Sequence, residues 1–277
     1  ARHHEGVAVQ PGDDEALEAA AVASVNGGLD PARWRQRPFR APHHTASAVA
    51  LAGGGSEPRP GEISLAHRGV LFLDELPEWN RSALEVLREP LESGVVTISR
   101  AARQAEFPAR FQLVAAMNPC PCGWAGDISG RCRCSSDAIT RYRARISGPL
   151  LDRIDLHVDV PRLPPAALRP DAPEGESSGH IRQRVIDARQ RQLDRAGVTN
   201  AALDQAATAR DCRLAPGDQA LLERAIDALH LSARAMHRIL RLARTIADLD
   251  GQTSIASIHL TEALTYRGAS ACDRVIN

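Results

Sequence analysis

The sequence predicts an α/β domain built on a parallel sheet, followed by a small all-α domain. Three observations carry that prediction. Val70 to Leu73 are four consecutive apolar residues without period-two alternation, the pattern of a strand buried on both faces of a parallel sheet. Phe111 to Met117 form a second apolar run, and both runs end in polar residues, Asp74-Glu75 and Asn118, as at the carboxyl edge of an open α/β sheet. Beyond a proline-rich stretch the apolar residues recur only at helical spacing: Ile181, Val185, Ala188 and Leu193; Leu221, Leu222, Ala225, Ile226 and Leu229; Met236, Ile239, Leu240, Ala243 and Ile246.

Taken in order, residues 1–12 lack periodicity, end in Pro11-Gly12 and read as an unstructured lead. Asp13-Asp14-Glu15 before an alanine-rich run predict a helix closed by Gly27-Gly28. Trp34, between Arg33 and Arg35, could stack on a base, but reads as an aromatic anchoring its loop to the core, the commoner case. His43 and His44 have no acidic or thiol partner at helical spacing, so they read as solvated or hydrogen-bonded side chains and not as a metal site. A short helix is expected over 48–52, and Gly53 to Gly55 with Pro58 to Gly61 punctuate the chain. After the strand 70–73, Leu84, Leu87 and Leu91 share one helical face and predict a single helix over 82–92 that Gly94 ends. Val95 to Ile98 and Glu106-Phe107 flank an arginine-bearing turn and predict a hairpin. The alternation over 154–160 predicts a third strand that closes a first domain of residues 13–160. Residues 161–179, with Pro164-Pro165, Pro170 and Pro173, form a linker. A helical domain then spans 180–267, with Arg238, Arg241 and Arg244 on a solvated face, and 268–277 are a tail.

Composition narrows the function. Lys+Arg 34 balances Asp+Glu 34, so no global field favours nucleic acid, and DNA binding would need a local patch. Every one of those basic residues is arginine; the sequence contains no lysine. No apolar run approaches membrane-spanning length and no signal-peptide core opens the chain, so the expectation is a soluble, cytoplasmic protein without membrane partners. Asp74 and Glu75 form a Walker B pattern: one carboxylate can hold Mg²⁺ and the next can position a water against a γ-phosphate. The alternative is a buried strand whose acids cap the next helix. Four of six cysteines cluster as Cys120, Cys122, Cys132 and Cys134. Two Cys-x-Cys pairs can supply four thiolates to a structural Zn²⁺, although zinc knuckles prefer wider spacing; the alternative is four free thiols in a loop.

Together, Arg40-Ala-Pro-His-His44, Pro60-Gly-Glu-Ile-Ser-Leu-Ala-His67, Gly69-Val-Leu-Phe-Leu-Asp-Glu-Leu76, Arg88-Glu-Pro-Leu-Glu92, Ala116-Met-Asn-Pro-Cys-Pro-Cys-Gly123, Leu150-Leu-Asp-Arg-Ile154 and Leu231-Ser-Ala-Arg234 resemble the magnesium-chelatase-like AAA+ ATPases. Within them the resemblance is to the ComM/YifB group of competence helicases. It implies an AAA+ sheet domain with a helical lid, ATP and Mg²⁺ as ligands, a hexameric homo-oligomeric ring, and branched or single-stranded DNA as partner during transformation. It also implies residue roles: Asp74 for Mg²⁺, Glu75 for water activation, Asn118 as the sensor at the end of the adjacent strand, Arg153 as a finger reaching the neighbouring subunit's nucleotide, and Arg234 as the lid sensor. Arg153 could instead form a salt bridge with Asp152 or Asp155. Arg100, Arg103 and Arg110, around the hairpin, are the candidates for touching DNA.

One departure stands out. Family members carry a Walker A loop, G-x-x-x-x-G-K-[ST], which a chain without lysine cannot contain. The P-loop strand is therefore expected to be missing and the chain to be a fragment, inactive alone as an ATPase. Two other readings stay open: a motor subunit of a magnesium chelatase acting on a porphyrin, against which the cysteine cluster argues, and a non-catalytic module that docks onto ATPase rings or folds around zinc.

Overall fold

Charge sets the first element. Asp13, Asp14 and Glu15 open helix α1 (Asp13–Val25), where carboxylates favour the amino end of the helix dipole. In the computed structural model, which describes residues 9–55, 57–100, 103–127, 129–164, 167, 169, 175–229 and 231–268, α1 is tied down by arginines. Glu15 meets Arg37 at 2.7 Å, Glu18 meets Arg68 at 2.6 Å and His67 at 3.0 Å, and Asp13 meets Arg35. Trp34 does not anchor its loop to the core; it is 46% exposed, and the segment is held by the arginine pairs.

The chain then builds β1 (Phe39–Arg40), α2 (Ala48–Ala52, capped by Ser47), β2 (Gly53–Gly54), β3 (Arg59–Pro60), α3 (Glu62–Leu65) and β4 (Val70–Leu73). The glycine and proline stretch is not loose: β2 and β3 pair antiparallel, Gly53 opposite Pro60. β4 is flanked on both sides by parallel partners, and Leu71 and Leu73 are fully buried. Its entry depends on Gly69, where a Cβ would lie 1.9 Å from the Pro38 carbonyl oxygen. Only glycine lets β1 and β4 approach there.

The single helix expected over 82–92 is two short pieces, α4 (Arg81–Glu85) and α5 (Pro90–Ser93). Pro90 has no N–H to continue the ladder and begins a new turn at its first position, while Leu84 and Leu87 are buried as their spacing implies. Gly94 ends α5 at φ 72. The hairpin is present as β5 (Val95–Arg100) and β6 (Arg103–Pro108). β7 (Gln112–Ala115) pairs parallel with β4, Leu73 opposite Ala115, giving the order β1-β4-β7. α6 (Ser136–Arg143) and α7 (Gly148–Leu151) follow. One core unites these elements: Leu51, Ile63, Leu71, Leu73, Leu84, Leu87 and Leu150 among others.

The chain divides into a unit over Gln10–Ile154 and a second running from Asp155. The strand expected over 154–160 is absent: the segment has no regular structure, and from Asp155 it belongs with the second unit. Its alternation faces solvent, Val158 at 65% and Val160 at 87% exposed, and the His157 N–H bonds the Tyr266 carbonyl instead of a strand. The third strand of the sheet is β1. Of the expected lead, linker and tail, residues 1–8, 165–166, 168, 170–174 and 269–277 lie outside the described residues; 161–164 have no regular structure, and the first helix of the second unit already begins at Ser178.

The second unit is helical: α8 (Ser178–Ala196), α9 (Gln205–Asp211), α10 (Pro216–Ala228), α11 (Ala233–Leu249) and α12 (Ser257–Gly268). Leu222, Ile239, Ala243, Ala247, Leu260 and Ala263 form its core. The arginines expected on a solvated face are not solvated. Arg244 is 1% exposed and pairs with Asp248, also 1% exposed, at 3.1 Å; Arg238 pairs with Asp155, and Arg241 bonds the carbonyls of Ala201 and Leu203. Arg195 and Asn200 complete the Asp248 cluster, each at 2.8 Å. Among the described residues no helix is long and apolar enough to cross a membrane.

Candidate functional site

β4 and β7 run parallel, so their carboxyl ends deliver Asp74-Glu75 and Asn118 to one edge of the sheet. The backbone there is fixed on three sides. The Trp79 indole N–H donates to the Asp74 carbonyl at 2.9 Å, the Leu76 N–H donates to the Ala116 carbonyl at 2.9 Å, and the Glu78 N–H donates to the Glu75 carbonyl at 2.7 Å. Glu75 itself sits in the left-handed region at φ 50, ψ 46, a conformation a side chain adopts at a cost of about 1 kcal/mol.

The acid side chains are exposed. One Asp74 oxygen accepts the Glu75 N–H at 2.9 Å, and the exposed carboxylate fits an oxygen-seeking cation such as Mg²⁺. The Asp74 side chain does not cap a following helix; the bond it accepts is from its neighbour, and the Asn80 side chain caps α4. Glu75 meets the imidazole Nδ1 of His44 at 3.1 Å. Of the two states read for His44, solvated or hydrogen-bonded, this is the second, with an acid that lies on a neighbouring strand and not at helical spacing. The signal is invisible along the chain, because it arises from β1 and β4 lying side by side with Arg40 opposite Leu71. A surface cleft of about 670 Å³ opens beside this edge, lined by His44, Trp79, Arg81, Arg141 and Arg145 among others.

Asn118 is exposed, and the position a Cβ of Gly123 would occupy lies 3.9 Å from its Oδ1. The loop holding Gly123 carries the cysteines. Cys120, Cys122, Cys132 and Cys134 bring all four sulfurs within 4.8 Å of one another. The Cys120–Cys132 and Cys122–Cys132 separations are 3.8 and 3.7 Å, the edge expected of a sulfur tetrahedron around Zn²⁺ at about 2.3 Å. Cys120–Cys122 is tighter, at 3.3 Å. Backbone N–H donation from Trp124, with the neighbouring Cys120 thiol, pulls Cys122 down to about 6, and the Ala125 N–H points at the Cys120 sulfur from 3.3 Å. Such donors favour thiolate, the form a metal takes. Cys134 is pushed up to about 12, first by its bond to Cys122, as expected when neighbouring thiols share one charge. The donor set and geometry fit zinc.

The remaining candidates stand apart. Arg153 bonds the Arg88 carbonyl at 3.1 Å and Glu92 at 2.6 Å; the acid it meets is Glu92. Arg234 is exposed in the first turn of α11, whose amino end Ser232 caps. Arg110 is exposed, with its stem against Gly94. Arg100 and Arg103 pair across the end of the hairpin, and their side chains lie outside the described residues.

Comparison with known proteins decides the family. The family model described as magnesium chelatase, subunit ChlI, matches residues 1–168, and that of its C-terminal part matches residues 175–267. The chain belongs to the magnesium chelatase subunit ChlI family. Among its relatives, the competence protein ComM of Haemophilus influenzae is 53% identical over 257 residues, covering 92% of this chain and 50% of that protein. YifB of Escherichia coli is 50% identical over 266 residues, covering 95% and 51%. The magnesium-chelatase 38 kDa subunit of Acidiphilium rubrum is 28% identical over 213 residues, covering 76% and 55%. The chain thus spans about half the length of the curated relatives it matches. Its parallel sheet with flanking helices and helical second unit are consistent with the AAA+ fold.

Proposed function

We propose that this chain is part of the ATPase motor of a ComM-like DNA branch-migration helicase, acting as a cytoplasmic hexameric ring on branched or single-stranded DNA in transformation and recombination. The observation that carries the reading is the delivery of Asp74-Glu75 and Asn118 by adjacent parallel strands to one edge. In it, residues 13–160 are the partial AAA+ domain and 180–267 its lid. Asp74 would hold Mg²⁺, which supplies charge neutralisation for the phosphates when bound. Glu75 accepts the proton of the attacking water, and Asn118 orients that water or the γ-phosphate. Arg153, once released from Glu92, supplies positive charge to the nucleotide of the next subunit; Arg234 contacts phosphate beside a helix amino end. Arg100, Arg103 and Arg110 touch the DNA backbone. Full-length protein that fails to move a branched DNA junction with ATP removes this reading.

These 277 residues include no lysine and hence no P-loop. The isolated chain is therefore expected to bind ATP weakly and to turn none over, and measurable hydrolysis in a nucleotide titration would contradict that. We also propose that the four cysteines hold one structural Zn²⁺. Elemental analysis should give one zinc per chain, lost in Cys120→Ser; a metal-free chain of unchanged stability removes the assignment.

A further inference from the structure

We infer that His44 is a positioning residue for the Glu75 carboxylate. The inference rests on the ATPase reading for its consequence, and on geometry for its substance. β1 and β4 are parallel neighbours with Arg40 opposite Leu71, so the chain four residues further along each strand brings His44 level with Glu75. There the imidazole Nδ1 lies 3.1 Å from Oε2. The Nδ1–H donates and the carboxylate accepts.

Both partners are held from behind. The His44 ring packs on the His43 ring, centroids 4.1 Å apart, and His43 Nδ1 is 2.9 Å from the Thr45 hydroxyl. Glu75 hangs from a left-handed backbone fixed by the Glu78 and Leu76 N–H groups. Two independently fixed groups meeting at hydrogen-bond distance set the direction of the carboxylate more narrowly than either alone, because a free glutamate would sample several rotamers. With Oε2 engaged by the imidazole, Oε1 is the oxygen left to take a proton from water. The Nδ1–H does this as a donor, so His44 acts through Glu75 and makes no contact with the reacting atoms.

Two measurements test this. In the 277-residue chain, long-range proton–nitrogen NMR of the imidazoles should show His44 protonated at Nδ1 at neutral pH, changing to the Nε2–H form usual for free imidazole in Glu75→Ala. A His44 in the Nε2–H form in both proteins overturns the contact. In the full-length protein, His44→Ala should lower kcat for ATP roughly 10- to 100-fold, the range for a misplaced catalytic group, with KM unchanged. His44→Asn, whose amide nitrogen takes the place of Nδ1, should recover most of it, and neither change should add to Glu75→Gln. An unchanged kcat in His44→Ala, while Glu75→Gln abolishes turnover, overturns the positioning role and leaves the ATPase reading standing. Wild-type full-length protein without ATP turnover overturns the ATPase reading and this role with it, while the NMR result still reports the contact.

Discussion

The same two charge types do opposite work in the two units. In the helical unit Asp248 and Arg244 are each 1% exposed, and Asp248 is also bonded by Arg195 and Asn200. At the sheet edge Asp74 and Glu75 are exposed; Asp74 accepts one N–H and Glu75 meets one imidazole. A buried carboxylate surrounded by arginines organises helices. An exposed carboxylate with a single partner keeps an oxygen available for ligand. The difference teaches that an acid's role is set by how its side chain is satisfied, and not by how many charges lie nearby in sequence.

The strongest test of this contrast is Asp248→Ala. It strands Arg195 and Arg244 without their carboxylate, and removing one partner of a buried pair costs about 3–5 kcal/mol. Chemical denaturation followed by circular dichroism should show that loss, and a change below about 1 kcal/mol would break the comparison.

In the first unit rigidity comes from backbone approach. Gly69→Ala, whose Cβ would fall 1.9 Å from the Pro38 oxygen, should cost about 1–3 kcal/mol by overpacking. An unaffected midpoint would show that β1 is less tightly docked than described.

A smaller effect should appear with pH at α1. The Arg68 bond draws the Glu18 carboxyl down to about 2 from 4.5, so its contribution is complete above about 4.5 and is lost as pH falls toward 2. His67 is moved below 6.5, first by burial, and its Nδ1 accepts the Arg110 N–H at 3.0 Å, which requires an unprotonated Nδ1. Its stabilisation is present above 6.5 and declines as pH drops. Thermal midpoints should therefore fall on acidification, and Glu18→Gln should flatten the lower part of that fall. The smallest effect belongs to the site itself: Asp74→Asn should change stability by no more than about 0.5 kcal/mol, as for other exposed positions.

Sequence reading reached the acid-bearing edge of the sheet because its signal is local. Four apolar residues followed by two acids can be read without knowing any partner strand, and β4 sits at the centre of the sheet as that pattern requires. His44 could not be found this way, since its partner is fixed by the register of strands whose paired residues, such as Arg40 and Leu71, are far apart in the chain. Other errors have the same root. The alternation over 154–160 resembles a strand, yet no neighbour among the described residues completes it. The leucine stripe over 82–92 correctly marked a buried face but missed the interruption at Pro90. Arg238, Arg241 and Arg244 looked solvated because arginine usually is; only the acid and carbonyls brought to them by folding make their burial tolerable. The four cysteines showed their clustering, and folding brought their sulfurs within 4.8 Å of one another and supplied the donors that favour thiolate.

The left-handed backbone of Glu75 has a consequence of its own. Glycine occupies φ 50 without penalty, so Glu75→Gly should stabilise the folded chain by up to about 1 kcal/mol while deleting the carboxylate. Under the proposed function, one substitution would then raise the melting temperature and abolish turnover in the full-length protein. A position where the more stable residue is the inactive one marks a trade-off between durability and chemistry, located here at a single pair of dihedral angles.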